Sequence, residues 1–403
     1  MSKLLIIGNG FDLTCGLKSS YQDFFAWENK NSEAFETFYV QTTGDYSHAP
    51  HAIKTSLGII ITKPAYMEAK ALTEELTVWD MYFVLLKREC EYWCDIEKAI
   101  KDSLLGQESF WNKALIHLRS VLRNYNSGKR TENDLSLIER FIWQYVFNKN
   151  APMEDREYGV FTKKLEFSQD EYYELLLEQL ELFENKFRKY ISQSIDSTSG
   201  YYKNATDLTS KLLNINYNDE PTTYSVMNFN YTNPFSNWPG RVRFICDNVH
   251  GSIASNYSIF GIDSKIREQD GSLQQISQSS LAYRFTKQRR CIAKMAEGKE
   301  SPRVISNQYN ELVFYGHSLN EQDYSYFHTL FDLCDLYGSE LKLSFYYKEY
   351  GETPDNNKRI QSARITEILA LLGRYGETFS NKSHGVNLID KLYNERRLLI
   401  KAI

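Results

Sequence analysis

Proline is scarce, at 8 in 403 residues, and no Pro-rich stretch marks a linker between consecutive domains. Cysteine is scarcer still. The six (Cys15, Cys90, Cys94, Cys246, Cys291 and Cys334) are scattered and form no CxxC pair. Cys90 and Cys94 share a helix face, but the set reads as small buried hydrophobes in a reducing cytosol, not as a zinc site or disulfide framework. Long apolar runs are missing as well. Leu4–Ile7 and Gly58–Ile61 fall far short of the roughly 18 residues a membrane span needs. The opening Met1-Ser2-Lys3 resembles the start of a secretory signal, but its apolar stretch stops at Gly8. An excess of positive charge is also absent: 47 Lys and Arg against 52 Asp and Glu give −5, which argues against a general nucleic-acid binder. These absences lead to the expectation of a cytoplasmic protein with no membrane partner.

What is present is aromatic. With 29 Tyr, 23 Phe and 6 Trp, the chain has the means to bury a core and is not of the disordered class. Leu4-Leu5-Ile6-Ile7, followed at once by Gly8-Asn9-Gly10, reads as a buried parallel strand turning into a helix. Further strand-like runs come late, at Tyr224–Phe229, Val242–Val249, Ser258–Ile262, Glu311–Tyr315 and Leu341–Tyr347. Between them the period changes. Leu72, Leu76, Trp79, Phe83, Leu86, Cys90 and Trp93 recur at steps of four and three, as do Tyr173, Leu176, Leu180, Phe183, Phe187 and Tyr190. These are amphipathic helices, with Phe110–Arg123 and Leu135–Phe147 as further helices and loops around 124–133 and 148–159. Ile365–Leu372 and Leu388–Ile400 read as two closing helices.

A lone strand needs neighbours, so the first strand is expected to join the late ones in one sheet. The fold class is α/β, a Rossmann-like, mostly parallel sheet with a large all-helical insertion. The expected division is 1–30 plus 215–403 for the discontinuous α/β domain and 31–214 for the inserted helical domain. Internal packing is the first reading of the helical stripes. Exposed heptad seams would instead support a homo-oligomer.

Four short motifs lie at strand ends, where ligands bind in open parallel sheets. Gly8-Asn9-Gly10-Phe11-Asp12 allows backbone N–H groups to approach a phosphate, with Asp12 either capping the helix or accepting from a ribose hydroxyl. Position 13 is Leu, so the full GxGxxG is absent. Asn228 to Asn233 is asparagine-rich. Turn chemistry is its plainer explanation, and orientation of a water or ribose hydroxyl by Asn230 the functional one. In Val249-His250-Gly251 the histidine has the chemistry of a general base. Tyr315-Gly316-His317-Ser318-Leu319, followed by Asp323, is a strand-turn-helix start in which Ser318 and Glu321 have capping-box spacing. It lacks the closing glycine of a serine-hydrolase elbow. His48 and His51 lie in a polar loop without nearby ligands, and no metal is expected. Residues 287–303 carry six bases against two acids, a stretch able to bind phosphates but more often a solvated helix face.

In this order the four motifs resemble the bacteriophage abortive infection AbiH family, over residues 4–24 and roughly 224–347. The same skeleton is similar to the sirtuin (Sir2-like) NAD-binding fold. That resemblance implies that Gly8, Asn9, Gly10, Phe11, Asp12, Gly316, His317, Ser318 and Asp323 bind the cofactor-sized nucleotide. It implies that Asn230 orients the nicotinamide ribose and water, and that His250 matches the catalytic histidine. The missing CxxC pairs and the lack of Arg in Tyr21–Phe25 speak against protein deacylation. The implied function is antiphage defence by hydrolysis of NAD, taken as substrate, in response to a phage-derived trigger. The alternatives are a sensing module that binds a nucleotide or phage component without hydrolysis and works with a partner effector, or a nucleic-acid-acting toxin.

Overall fold

A computed structural model describes residues 2–43, 54–55, 58–59, 75–89, 96–106, 108–127, 135–150, 167–215, 221–267, 273–299, 303–351 and 353–403. Cys90, Cys94, His48, His51, Leu72, Trp93 and the loop residues 151–159 lie outside them. The chain divides into two compact units, 1–20 with 188–259 and 291–403, and 21–187 with 260–290.

The first unit is built on six parallel strands: β1 (Lys3–Ile7), β2 (Thr223–Asn228), β3 (Arg243–Asn248), β4 (Glu311–Tyr315), β5 (Lys342–Tyr347) and β6 (Leu398–Ala402). Their order across the sheet is β6-β5-β4-β1-β2-β3. Read from the other edge, this is the 3-2-1-4-5-6 arrangement of dinucleotide-binding sheets. Ile7 sits level with Tyr315 on one side and Asn228 on the other, so the loops after β1, β4 and β2 leave the sheet side by side.

Successive residues of a strand face opposite layers, and both faces here are covered. Leu4 and Ile6 pack with Phe314 and Phe345 beneath α11 (Tyr324–Leu333), α12 (Pro354–Glu377) and α13 (Lys382–Asn394). Leu5 and Ile7 pack with Val313 and Tyr315 against α1 (Asn9–Thr14) and α9 (Tyr201–Leu213). The helices that follow β4 and β5 therefore cover one face, and α1 and α9 the other. The change of face falls between β1 and β4.

Two expectations differ from this arrangement. Leu388–Ile400 is not one helix. Arg396 takes a left-handed φ of 56°, its N–H donates to Tyr393 O (3.0 Å), and the Arg397 N–H donates to Leu392 O (2.8 Å). That paired closure ends α13 and turns the chain into β6. Ser258–Ile262 is not a strand of the main sheet either. Tyr257–Ser258 pairs antiparallel with Gly251–Ser252, while Phe260 packs on Phe183 and Phe187. An apolar run records burial, and burial is not specific to a sheet.

The second unit holds α2 (Tyr21–Asn31), α3 (Glu33–Thr43), α4 (Val78–Glu89), α5 (Ile96–Leu104), α6 (Phe110–Asn126), α7 (Leu137–Asn150) and α8 from Gln169 to Phe187, the rest of α8 (to Ser197) belonging to the first unit. Leu76, Trp79, Phe83, Leu176, Leu180 and Phe183 are all at most 3% exposed inside it, and the Phe83 and Phe183 rings lie 5.2 Å apart. Trp79 and Trp111 cross edge to face at 5.1 Å, and the Trp79 indole N–H donates to Leu176 O (2.8 Å). Among the described residues both stripes are buried, with Leu86 half-buried. Among the described residues no helix is long and apolar enough to cross a membrane.

Candidate active site

The glycines after β1 and β4 serve each other. The Gly8 N–H donates to Tyr315 O (3.2 Å), the Gly10 N–H to Gly316 O (2.8 Å) and the Phe11 N–H to Gly8 O (2.8 Å). A Cβ on Gly8 would stand 2.7 Å from His317 Cα, and one on Gly316 would stand 2.2 Å from Phe11 N. Gly316 also has a φ of +70°. Only glycine lets these two backbones touch. Three residues on, Leu319 takes a left-handed φ of 52°, a conformation a branched side chain adopts at a cost.

Of the other residues of the first loop, Asn9 is exposed while Phe11 and Asp12 are buried. Asn9 Oδ1 accepts from the Ser19 hydroxyl (2.5 Å), and Phe11 lies edge-on to Tyr315. Asp12 is fully buried and accepts from the Tyr201 hydroxyl (2.7 Å) and the Thr232 hydroxyl (2.8 Å). Burial outweighs those two bonds and pushes its carboxyl up to about 6.

The asparagines after β2 and β3 form a network. Asn228 Oδ1 accepts from the Asn230 N–H (2.9 Å), and Asn228 Nδ2 donates to Thr232 O (2.8 Å). Asn248 Nδ2 donates to both Asn230 O (2.7 Å) and Thr232 O (2.8 Å). Asn228 and Asn248 therefore build the turn that presents Asn230. The Asn230 side chain reaches across to the first loop, its Nδ2 donating to Gly8 O (3.1 Å).

His250 follows β3 by two residues. Gly251 behind it has a φ of +85°, and a Cβ there would stand 2.4 Å from Tyr257 O. Asp323, the residue before α11, lies between two imidazoles: its Oδ1 is 3.7 Å from His250 Nε2 and its Oδ2 is 3.3 Å from His317 Nε2. His317 Nδ1 accepts the Leu319 backbone N–H (2.9 Å). An N–H can only donate, so Nδ1 is unprotonated and the neutral ring carries its proton on Nε2, facing Asp323. Phe229 closes this group, its ring 4.3 Å from His317 and 5.7 Å from His250, with Tyr326 5.5 Å from His250. Burial holds the Tyr326 hydroxyl well above the usual tyrosine range.

Asn230, His250, His317 and Asp323 are each less than a tenth exposed. Ser318 is exposed, and the expected capping box is not made. The helical start shifts to Asn320, and Glu321 pairs with Arg374 at 2.8 Å. A cavity of about 420 Å³ opens beside this group, over the ends of β4 and β5. It takes in Gly10, Gly316 and His317, but neither Asn230, His250 nor Asp12. Its cations, Lys348 and Arg364, carry no sequence pattern. The signal that finds Lys348 is its place directly after a parallel strand.

Elsewhere, the basic stretch, which opens with α10 (Lys287–Ala296), is largely neutralised. Lys287 pairs with Glu97 and Arg290 with Glu184, Lys294 and Lys299 share Glu297, and Arg303 lies 3.9 Å from Asp247. Among the described residues, Cys15, Cys246, Cys291 and Cys334 form no disulfide. Among the described residues no group of three or more His, Cys, Asp or Glu is placed to hold a metal ion.

No curated protein and no solved structure gives a significant match to this chain. A family model described as bacteriophage abortive infection AbiH matches residues 4–347, a span running from β1 to the end of β5. The strand-end motifs all lie inside that span, and the chain belongs to the bacteriophage abortive infection AbiH family, a family of phage defence.

Proposed function

We propose that this protein acts in phage defence by hydrolysing NAD+ to nicotinamide and ADP-ribose in the cytoplasm of the infected cell. The observation that carries this reading is the carboxylate of Asp323 set between His250 and His317, outside the carboxyl ends of a 3-2-1-4-5-6 sheet. Cleavage of the nicotinamide–ribose bond lets neutral nicotinamide leave with the bonding pair and develops positive charge on the ribose. Water then bonds to the anomeric carbon, and its proton passes to the His250 imidazole. Asp323 stabilises the imidazolium so formed, as an orienting carboxylate does beside a general base. Asn230, with Nδ2 held by Gly8 O, keeps its Oδ1 to accept from the water or a ribose hydroxyl. The 420 Å³ cavity falls within the roughly 300–1,000 Å³ of small-molecule sites. Loss of NAD+ would halt the cell, with a phage-derived trigger as its means of control.

The test is incubation of the purified full chain with NAD+ and chromatographic detection of nicotinamide. His250→Ala and Asn230→Ala should each slow release by about 10²–10⁴-fold while leaving thermal unfolding near that of wild type. Undiminished release in both variants would sink the mechanism. A second reading, nucleotide sensing without hydrolysis, is favoured by one observation: the Gly10 and Phe11 N–H groups already donate to protein carbonyls. Nucleotide binding without nicotinamide release would select it.

A further inference from the structure

Where a 3-2-1-4-5-6 sheet changes face, the glycine loop after the first strand ordinarily offers its N–H groups to a phosphate. Here that crevice is shut by backbone contact between Gly8, Gly10 and Gly316, and the N–H groups of Gly10 and Phe11 donate to Gly316 O and Gly8 O. The open space lies one strand further, over β4 and β5. Two cations line it. Lys348, the first residue after β5, is exposed and has no ion pair with another described residue. Arg364 on α12 donates from Nη1 to His317 O (3.2 Å) and to Glu367 Oε2 (2.7 Å), which fixes its guanidinium at the cavity wall with other N–H donors remaining. Glu349, next to Lys348, accepts from Asn357 Nδ2 at 3.4 Å. The lining itself thus holds two cations and no carboxylate, with Glu367 balancing one of them. Its rim carries two large apolar surfaces, Tyr350 at 71% and Leu13 at 45% exposed. Aromatic and apolar side chains lining the same cavity as two cations suit a molecule that joins an aromatic ring to a phosphate.

We propose that this cavity takes the phosphate-bearing half of a nucleotide. The phosphate is held by the side chains of Lys348 and Arg364, not by the N–H groups of the first glycine loop, and the base lies against Tyr350 and Leu13. The assignment rests on the nucleotide ligand of the proposed function but not on hydrolysis.

Calorimetric titration of the full chain with ADP, and separately with adenosine, tests it. ADP should bind the wild type. Lys348→Ala should weaken ADP about tenfold or more and adenosine less than about twofold, because adenosine has no phosphate to lose. Tyr350→Ala should weaken both ligands together. Failure of ADP to bind, or equal affinity of wild type and Lys348→Ala for ADP, would overturn the assignment. Nicotinamide release with an unchanged KM for NAD+ in Lys348→Ala would overturn it while leaving the hydrolysis standing. Lys348-dependent ADP binding without nicotinamide release would uphold it and remove the hydrolysis.

Discussion

The two halves of the strand-end surface are made differently. On the β2–β3 side, Asn228, Asn230, Asn248, His250 and Asp323 are buried and held by defined polar neighbours. On the β4–β5 side, Lys348, Tyr350 and Arg364 border an open cavity, and Lys348 has no ion-pair partner among the described residues. The first side has geometry fixed before any ligand arrives, which is what positioning of a water and a base requires. The second has surface left uncommitted, which is what capture requires. Polar residues gathered at one end of a sheet are therefore not all equivalent: some hold backbone, and only the remainder can hold a ligand. Between the halves lies the glycine contact, and substitutions can be ranked by how directly they strike it.

Gly316→Ala should have the largest effect. Its Cβ would meet Phe11 N and Gly10 C, backbone atoms that cannot swing aside, at a φ of +70°. We expect a loss of about 3 kcal/mol or more by urea denaturation. Gly298→Ala, at a φ of +75° with nothing within 4 Å, should cost only about 1 kcal/mol. Equal losses at the two positions would show that φ alone, and not the meeting of the two loops, makes position 316 glycine.

Asp323→Asn strikes the buried half. It keeps the shape but removes the charge between the imidazoles, so kcat for nicotinamide release should fall about a hundredfold with KM changed less than about threefold. A fall confined to KM would move Asp323 from positioning the base to binding the ligand.

Asp12 gives a smaller effect with a defined sign. Its carboxyl is raised from 3.8 to about 6 by burial, so between those values the folded chain holds a proton that the unfolded chain has released. Stability from this group is present below about pH 4 and is lost as pH rises to about 6, up to about 3 kcal/mol. Asp12→Asn should flatten that stretch of the stability–pH curve and leave the variant at least as stable as wild type at pH 7. An unchanged curve would mean that Asp12 is not the group titrating. Lys348→Ala, on the open half, should shift stability by less than about 0.5 kcal/mol and be visible only in ligand binding.

Much of this was legible in the residues. Glu311–Tyr315 falls where β4 lies, and Asn230, His250 and His317 follow strands as expected. Steps of four and three located the helices because a period of 3.6 is visible without knowing any partner. What escaped depends on partners distant in the chain. Asp12 looks like a neighbour of a phosphate until Tyr201, 189 residues away, is seen to donate to it. Strand order is not a periodicity, so the sequence could not say that β1 lies between β2 and β4. The Ser318–Glu321 spacing was real, but the left-handed turn at Leu319 moved the helix start past it. A single lysine after a strand, such as Lys348, has only its position as a signal.

The central position of β1 sets a schedule for synthesis. Its first partner, β2, begins at Thr223, and its second, β4, at Glu311. At roughly 5–20 residues per second, Leu4–Ile7 waits about 10–40 s on the ribosome before β2 exists, and longer before β4 does. Leu4–Ile7, wholly buried in the finished protein, is thus a sticky run left unpaired for that interval. Slower translation would lengthen that exposure, and a chaperone that shields short apolar runs would protect the yield of this chain.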